Sequence, residues 1–272
     1  MPEETERFAT DWLSLREPVD HRSRSAPVLA AVTRWAAGRD QLPVVDLGCG
    51  SGSNLRYLLP RLPGLQHWVC IDQDAELLER LVATAPDSSR LAGLSTRLGS
   101  LRALDALADI EASTLVSASA LLDLVSAAWL ADLVALCRRK GAALLVATTY
   151  DGHVDLHPKH PDDDWMMTEF NTDQRRDKGL GPALGPDAAR TLRQFGEAQG
   201  FRLHQGRSDW RLDRTDRALA AHLIAGWAEA VERRRPSESA RIQAWHGRRQ
   251  AALAAGELLI RVGHQDLFLQ PQ

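Results

Sequence analysis

A chain of 272 residues, 44% hydrophobic and 25% charged, has room for one large α/β domain with additions or two small domains. Its net charge of −3 excludes a general polyanion binder. Cys49, Cys70 and Cys137 have no paired spacing, which excludes a disulfide framework or zinc site and suits a reducing cytoplasm; no signal-peptide core or membrane-length apolar run is present.

Residues 5–16 and 26–38 read as two cap helices, joined by the turn EPVDHRSRS. The pattern then alternates. LPVVDLG is a buried strand and Ser53 to Leu62 a helix. HWVCID is the second strand, followed by DAELLERLVATA, a helix with acids in its first turn. LSTRLGS is the third strand and STLVSAS the fourth. The helix SAAWLADLVALCRRK stops at Gly141, and GAALLVATTY is the fifth strand. Continuous apolar strands alternating with helices predict a doubly wound, mostly parallel sheet. Asp151 to Gly185, rich in Asp, His, Pro and Gly, is expected to form a lid. A helix at GPDAARTLRQFGEAQG, a sixth and bent strand FRLHQGRSDWRL, a helical insertion over 213–260 and a final strand VGHQDLFLQP complete seven strands.

The segment VVDLGCGSGSN places Gly48, Gly50 and Gly52 on one turn after a strand. Such a turn lets backbone approach a ligand and aims helix N–H groups at it. Ser53 stands where a dinucleotide fingerprint has its third glycine, and Asp46 would repel a phosphate and suit a cation. The second strand ends in CIDQD, where Asp72 is placed to hold ribose hydroxyls. A ribose-bearing cation without phosphates is S-adenosylmethionine.

On VVDLGCGSGSN, CIDQD and the element order over 43–150, the chain resembles the class I S-adenosylmethionine-dependent methyltransferases, a Rossmann-like fold. The resemblance implies that Asp46, Gly48, Gly50 and Gly52 surround the methionine part of the cofactor and that Asp72 holds the ribose. It also implies that Ser100 and Leu101 lie beside adenine, although LGSL lacks the acid often found there. Cys49, Gln73 and Ser119 complete the cofactor set. Arg24, in the N-terminal turn with Arg16 and Arg22, is the choice to hold the methionine carboxylate.

Ligands in such a sheet bind beyond the carboxyl ends of the parallel strands. The ends of strands five and six and the start of strand seven should therefore converge. This gathers Tyr150, Asp151, His153, Asp209, Trp210 and His264. His264 and His153 are candidate bases, with Asp151 or Asp209 to orient a substrate amine. Tyr150, Trp210 and Trp165, the last on the underside of the lid, would contact substrate. Asp123 reads as a helix cap before a catalyst. His153, Asp155 and His157 alternate but lack a recognised ligand spacing, so no metal is expected.

The function expected is methyl transfer to a small-molecule acceptor, on O or N, with no membrane or nucleic-acid partner. A protein or RNA methyltransferase and a non-catalytic S-adenosylmethionine-binding regulator are the alternatives. The oligomeric state stays open.

Overall fold

The computed structural model describes residues 10–102, 104–107 and 110–272; the expected helical residues 5–9 lie outside them. Helix α1 (Thr10–Ser23) continues through Pro18, so the expected turn EPVDHRSRS is mostly helix. Tertiary contacts override the proline. Val19 is buried, and the Asp20 carboxylate binds Arg16 one turn earlier and accepts from the Trp210 indole at 2.9 Å. Helix α2 (Ala26–Ala36) follows, with its proline in the first turn where a missing N–H costs nothing.

The sheet then begins with β1 (Gln41–Leu47), α3 (Ser53–Leu58), β2 (Leu65–Asp72), α4 (Ala75–Ala83), β3 (Leu91–Leu98) and β4 (Leu115–Ser119). Asp74 caps α4 by accepting from the Glu76 and Leu77 amides. Helix α5 (Ala127–Lys140) has a Ser126 cap, three cations in its last turn and Gly141 in the left-handed conformation at its end. Strand β5 (Ala143–His157) runs well past Tyr150. It is followed by α6 (Asp163–Asp173), α7 (Ala188–Ala198), β6 (Arg202–Arg207), β7 (Trp210–Leu212), α8 (Arg217–Arg234), α9 (Ser239–Ala255) and β8 (Leu259–Gln270).

The strand order is β3-β2-β1-β4-β5-β8-β6, with β7 also paired to β8. Strands β1 to β5 are mutually parallel, and β8 is antiparallel to β5, β6 and β7. Seven strands were expected, and an eighth arises where the bent sixth strand divides at Ser208 and Asp209. Two cores cover the sheet. Val32, Trp35, Leu58 and Leu81 fill one face, and Leu130, Leu133, Val134 and Leu192 fill the other. A third core joins α6, α8 and α9 to the far ends of β5, β7 and β8 through Met166, Trp227, Trp245 and Ile260.

The acidic stretch after Tyr150 is thus built into the fold as strand and helix. Glu169 pairs with Arg234 and Arg235, Asp173 with Arg233, and Asp163 with the buried Arg249. Met166 and Met167 pack into the third core. Residues 177–183 fold back on themselves through an Asp177–Pro182 bridge and touch the body through the Ser126–Ala183 bridge. Among the described residues, no helix is long and apolar enough to cross a membrane.

Candidate functional site

The first parallel strand delivers its C-terminal residues to the glycine turn. Gly48, Gly50 and Gly52 have φ of +61°, +52° and +89°. A Cβ on Gly48 would sit 3.2 Å from the Leu121 side chain, and one on Gly52 only 2.8 Å from Leu81 Cγ. The turn therefore needs glycine for backbone conformation and for close packing at once. The Gly50 amide donates to Asp72 Oδ2 at 2.8 Å, which ties the turn to the end of β2.

Asp46 lies at 1% exposure beneath the turn. Its Oδ1 accepts from Asn54 Nδ2 at 2.7 Å, while Oδ2 has no hydrogen-bond partner among the described residues. Burial pushes its pKa up to about 7, against the opposing pull of Asn54 and Arg24. Asn54 also donates to Ser117 Oγ and accepts from Arg24, whose guanidinium binds Asp266 behind it. Asp72 is held on both oxygens, by the Gly50 and Asp74 amides, and burial raises its pKa in spite of those donors. Each oxygen keeps a lone pair for a further donor.

A cavity of about 230 Å³ opens over these groups. Of the expected cofactor set, Asp46, Gly48, Cys49, Gly50, Asp72, Gln73, Ser100, Leu101 and Ser119 line it. Gly52 and Arg24 do not. Gly52 faces α4, and Arg24 is spent on Asp266 and Asn54 with its guanidinium over the Tyr57 ring. The arginines that reach the cavity are Arg16, one of the N-terminal cations and part of α1, and Arg102, which follows β3. Asn54, which also lines the cavity, escaped the sequence reading; its signal was its place two residues past the last glycine, in the first turn of α3. Cys49 is buried beside Cys70, and that neighbour together with burial raises its pKa, so it stays a thiol.

The unpartnered Oδ2 of Asp46, when that carboxyl is ionised, fits a cationic ammonium, and the Asp72 carboxylate fits vicinal hydroxyls. The acceptors present therefore fit the ammonium and the ribose of S-adenosylmethionine.

A second cavity, of about 160 Å³, adjoins the first and shares Arg16, Ala120, Leu124 and Lys178 with it. Trp12, Tyr150, Phe170, Trp210 and Trp227 supply aromatic walls; His264, Thr148 and Asp123 add polar groups. Tyr150, Trp210 and His264 were expected at the substrate edge, and the fold brings all three together. His264 is 6% exposed and its Nδ1 lies 3.1 Å from the Val262 carbonyl. A carbonyl only accepts, so Nδ1 carries the proton and Nε2 keeps its lone pair. Burial, and then the Arg16 charge, lower its pKa and keep it neutral.

Asp151, His153, Asp209 and Trp165 do not join this chamber. On β5, Thr148 and Tyr150 line the chamber, so Asp151 and His153 fall on the opposite face. There Asp151 accepts from the His153 backbone and lies near Arg207, and the His153 side chain is 74% exposed. Asp209 pairs with Arg207 and Arg261 and accepts from the His264 backbone amide. Trp165 lies on α6 under the Arg241 guanidinium. Asp155 is paired with Arg261 and Lys159, and among the described residues no three His, Cys, Asp or Glu side chains gather as metal ligands.

Residues 44–141 match the family described as Methyltransferase domain. Among solved structures, the cyclopropane synthase MmaA2 from Mycobacterium tuberculosis superposes with a TM-score of 0.50 at 13% identity, covering 96% of this chain and 94% of that one. A SAM-dependent methyltransferase from Geobacter sulfurreducens in complex with S-adenosyl-L-homocysteine gives 0.48 at 12% identity, covering 97% and 99%. At 13% identity the first likeness is one of fold. No curated protein matches the chain.

Proposed function

We propose that this chain, whose residues 44–141 match a methyltransferase domain, is a class I S-adenosylmethionine-dependent methyltransferase that methylates a small molecule held in the aromatic chamber. The observation that carries the reading is the common wall of the two cavities, made by Arg16, Ala120, Leu124 and Lys178. An acceptor in the chamber meets the donor across that wall. The net charge of −3, with Arg233, Arg234, Arg235, Arg241 and Arg249 all paired to acids, also supports a small acceptor over a nucleic acid. Three buried free cysteines support a reducing, cytoplasmic setting.

S-adenosylmethionine, when bound, supplies an activated methyl group. Asp46 Oδ2 takes its ammonium, Asp72 its ribose hydroxyls, and Ser100 with Leu101 flank adenine. Arg24 and Asn54 act from behind, fixing the Asp46 carboxylate. The chamber holds the acceptor in line, and that alignment supplies the larger part of the rate. His264 Nε2 receives a proton from the acceptor where it carries one.

The test is incubation with methyl-labelled S-adenosylmethionine and a metabolite extract. Label in a small product is expected. Label in protein or RNA would move the acceptor to those classes, and binding without any labelled product would point to a regulator. With the acceptor in hand, His264→Ala should lower turnover by about a hundredfold to ten-thousandfold, because alignment survives and only proton transfer is lost. S-adenosylhomocysteine affinity should stay unchanged. Full turnover with a lowered melting temperature would show that His264 is structural.

A further inference from the structure

We propose that the aromatic chamber takes a small planar acceptor bearing an acidic hydroxyl, phenolic or enolic, and that Thr148 and His264 hold that hydroxyl. This rests on the methyltransferase reading and names the acceptor class of the same site.

The walls set the body of the ligand. Trp12 and Trp210 lie 6.3 Å apart, Tyr150 and Phe170 5.9 Å, and Phe170 and Trp227 6.3 Å between ring centroids. Contiguous tilted and edge-on rings favour a flat apolar body.

Two polar groups set its reactive end. Thr148 lines the chamber at 2% exposure, and its Oγ1 has no hydrogen-bond partner among the described residues. A buried hydroxyl left unpaired is costly unless a ligand satisfies it. Thr148 also has φ of +52°, an outlier for a β-branched residue, and its backbone N–H donates a hydrogen bond to Asp266 Oδ1 at 2.9 Å. Across the β5–β8 pairing, His264 offers a bare Nε2 that only accepts. A ligand group serving both must donate to Nε2 and accept from the Thr148 hydroxyl. A hydroxyl does both; a methyl ether cannot donate, and an ammonium cannot accept.

The chemistry of the acceptor atom separates a hydroxyl from an amine. An aliphatic amine is an ammonium at neutral pH, and an aryl amine delocalises its lone pair into the ring, so neither accepts from Thr148 as a hydroxyl does. Arg16, paired to Asp20, lines the chamber with Lys178 and Asp123. His264, neutral and poorly basic where it is buried, matches a phenol near pKa of about 10 better than an aliphatic alcohol. In the step itself the acceptor O–H bond breaks, and its proton goes to Nε2. The oxygen forms a bond to the methyl carbon. The methyl C–S bond breaks with its electron pair remaining on sulfur, giving a methyl ether, neutral S-adenosylhomocysteine and an imidazolium.

Three near-isosteric probes test this on the whole protein saturated with S-adenosylhomocysteine at about pH 6, where the phenol keeps its proton: 4-nitrophenol, 4-nitroaniline and 4-nitroanisole. Calorimetry should show 4-nitrophenol binding at least about tenfold tighter than the other two. With methyl-labelled S-adenosylmethionine instead, labelled 4-nitroanisole should form. Thr148→Val should erase the preference, and Thr148→Ser should retain it, with S-adenosylhomocysteine affinity unchanged in both. Preference for 4-nitroaniline, or no binding of any probe beside bound S-adenosylhomocysteine, overturns the acceptor class alone. Preference for 4-nitrophenol with no S-adenosylhomocysteine binding overturns the methyltransferase reading and leaves the acceptor class standing.

Discussion

Asp46→Asn should cost S-adenosylhomocysteine about 2–5 kcal/mol of binding, roughly 30-fold to several-thousand-fold in Kd, the range for truncating one partner of a buried charge pair. The variant keeps the Asn54 bond, because an amide oxygen replaces Oδ1. What it loses is the unpartnered Oδ2, where an NH₂ group cannot accept from an ammonium. The same residue gives the binding a pH dependence. Its carboxyl sits near pH 7 in the free protein, and the ligand needs it ionised. Affinity should plateau above about pH 7 and approach a tenfold fall per unit below it. Free-protein stability runs the other way. A carboxyl raised above its ordinary value contributes stability that is complete below the ordinary carboxylate range and is lost as pH rises through about 7. Asp46→Asn should therefore melt higher than the parent at pH 8 and alike at pH 4. Calorimetric titrations from pH 5.5 to 8.5 with matched melting curves decide it; a flat pH profile would remove Asp46 from the ammonium site.

The parts of this site legible in the sequence are those fixed by local geometry. The glycine turn must follow a strand, its acid must end that strand, and Asp72 must end the next. The cofactor cavity inherits those places. The acceptor chamber is legible only in part. Trp12, Phe170 and Trp227 come from α1, α6 and α8, and only packing of the third core brings them to Tyr150 and His264. The Asp151 and His153 expectations failed on a rule the sequence does carry. Once β5 is seen to continue past Tyr150, side chains alternate, and residues 148 and 150 exclude 151 and 153 from the same face. Arg24 lies off the cavity and Arg16 on it for a different reason. A proline and a run of polar residues read as a turn, whereas burial of Val19 and the Asp20–Trp210 bond hold helix there. Nothing local marks Thr148, because its φ of +52° and its orphaned hydroxyl follow from the bulge between β5 and β8.

Arg249→Met should destabilise the fold by about 3–5 kcal/mol, because it strands a buried carboxylate. Arg249 and Asp163 side chains are 3% and 6% exposed, and one guanidinium nitrogen reaches both carboxylate oxygens at 2.5 Å. The second nitrogen donates to the Pro158 carbonyl at 2.6 Å, and the Trp245 indole donates to Asp163 at 2.9 Å. Together these fasten α9 to the start of α6. Without the arginine, Asp163 retains the indole and the His160 amide but no counter-charge. At roughly 2–4 °C per kcal/mol for a chain of this size, the melting temperature should fall by about 6–20 °C. The functional effect should be confined to the chamber, since α6 carries Phe170 and leads into Gln174, both in its wall. Acceptor binding should weaken while the glycine turn, seated in a different core, keeps its affinity for S-adenosylhomocysteine. The control is Asp163→Leu with Arg249→Met. Removing both charges removes the stranded ion, so the double variant should regain most of the lost stability. A single variant that loses less than about 1 kcal/mol would show that apolar packing, and not this pair, holds α6 in place.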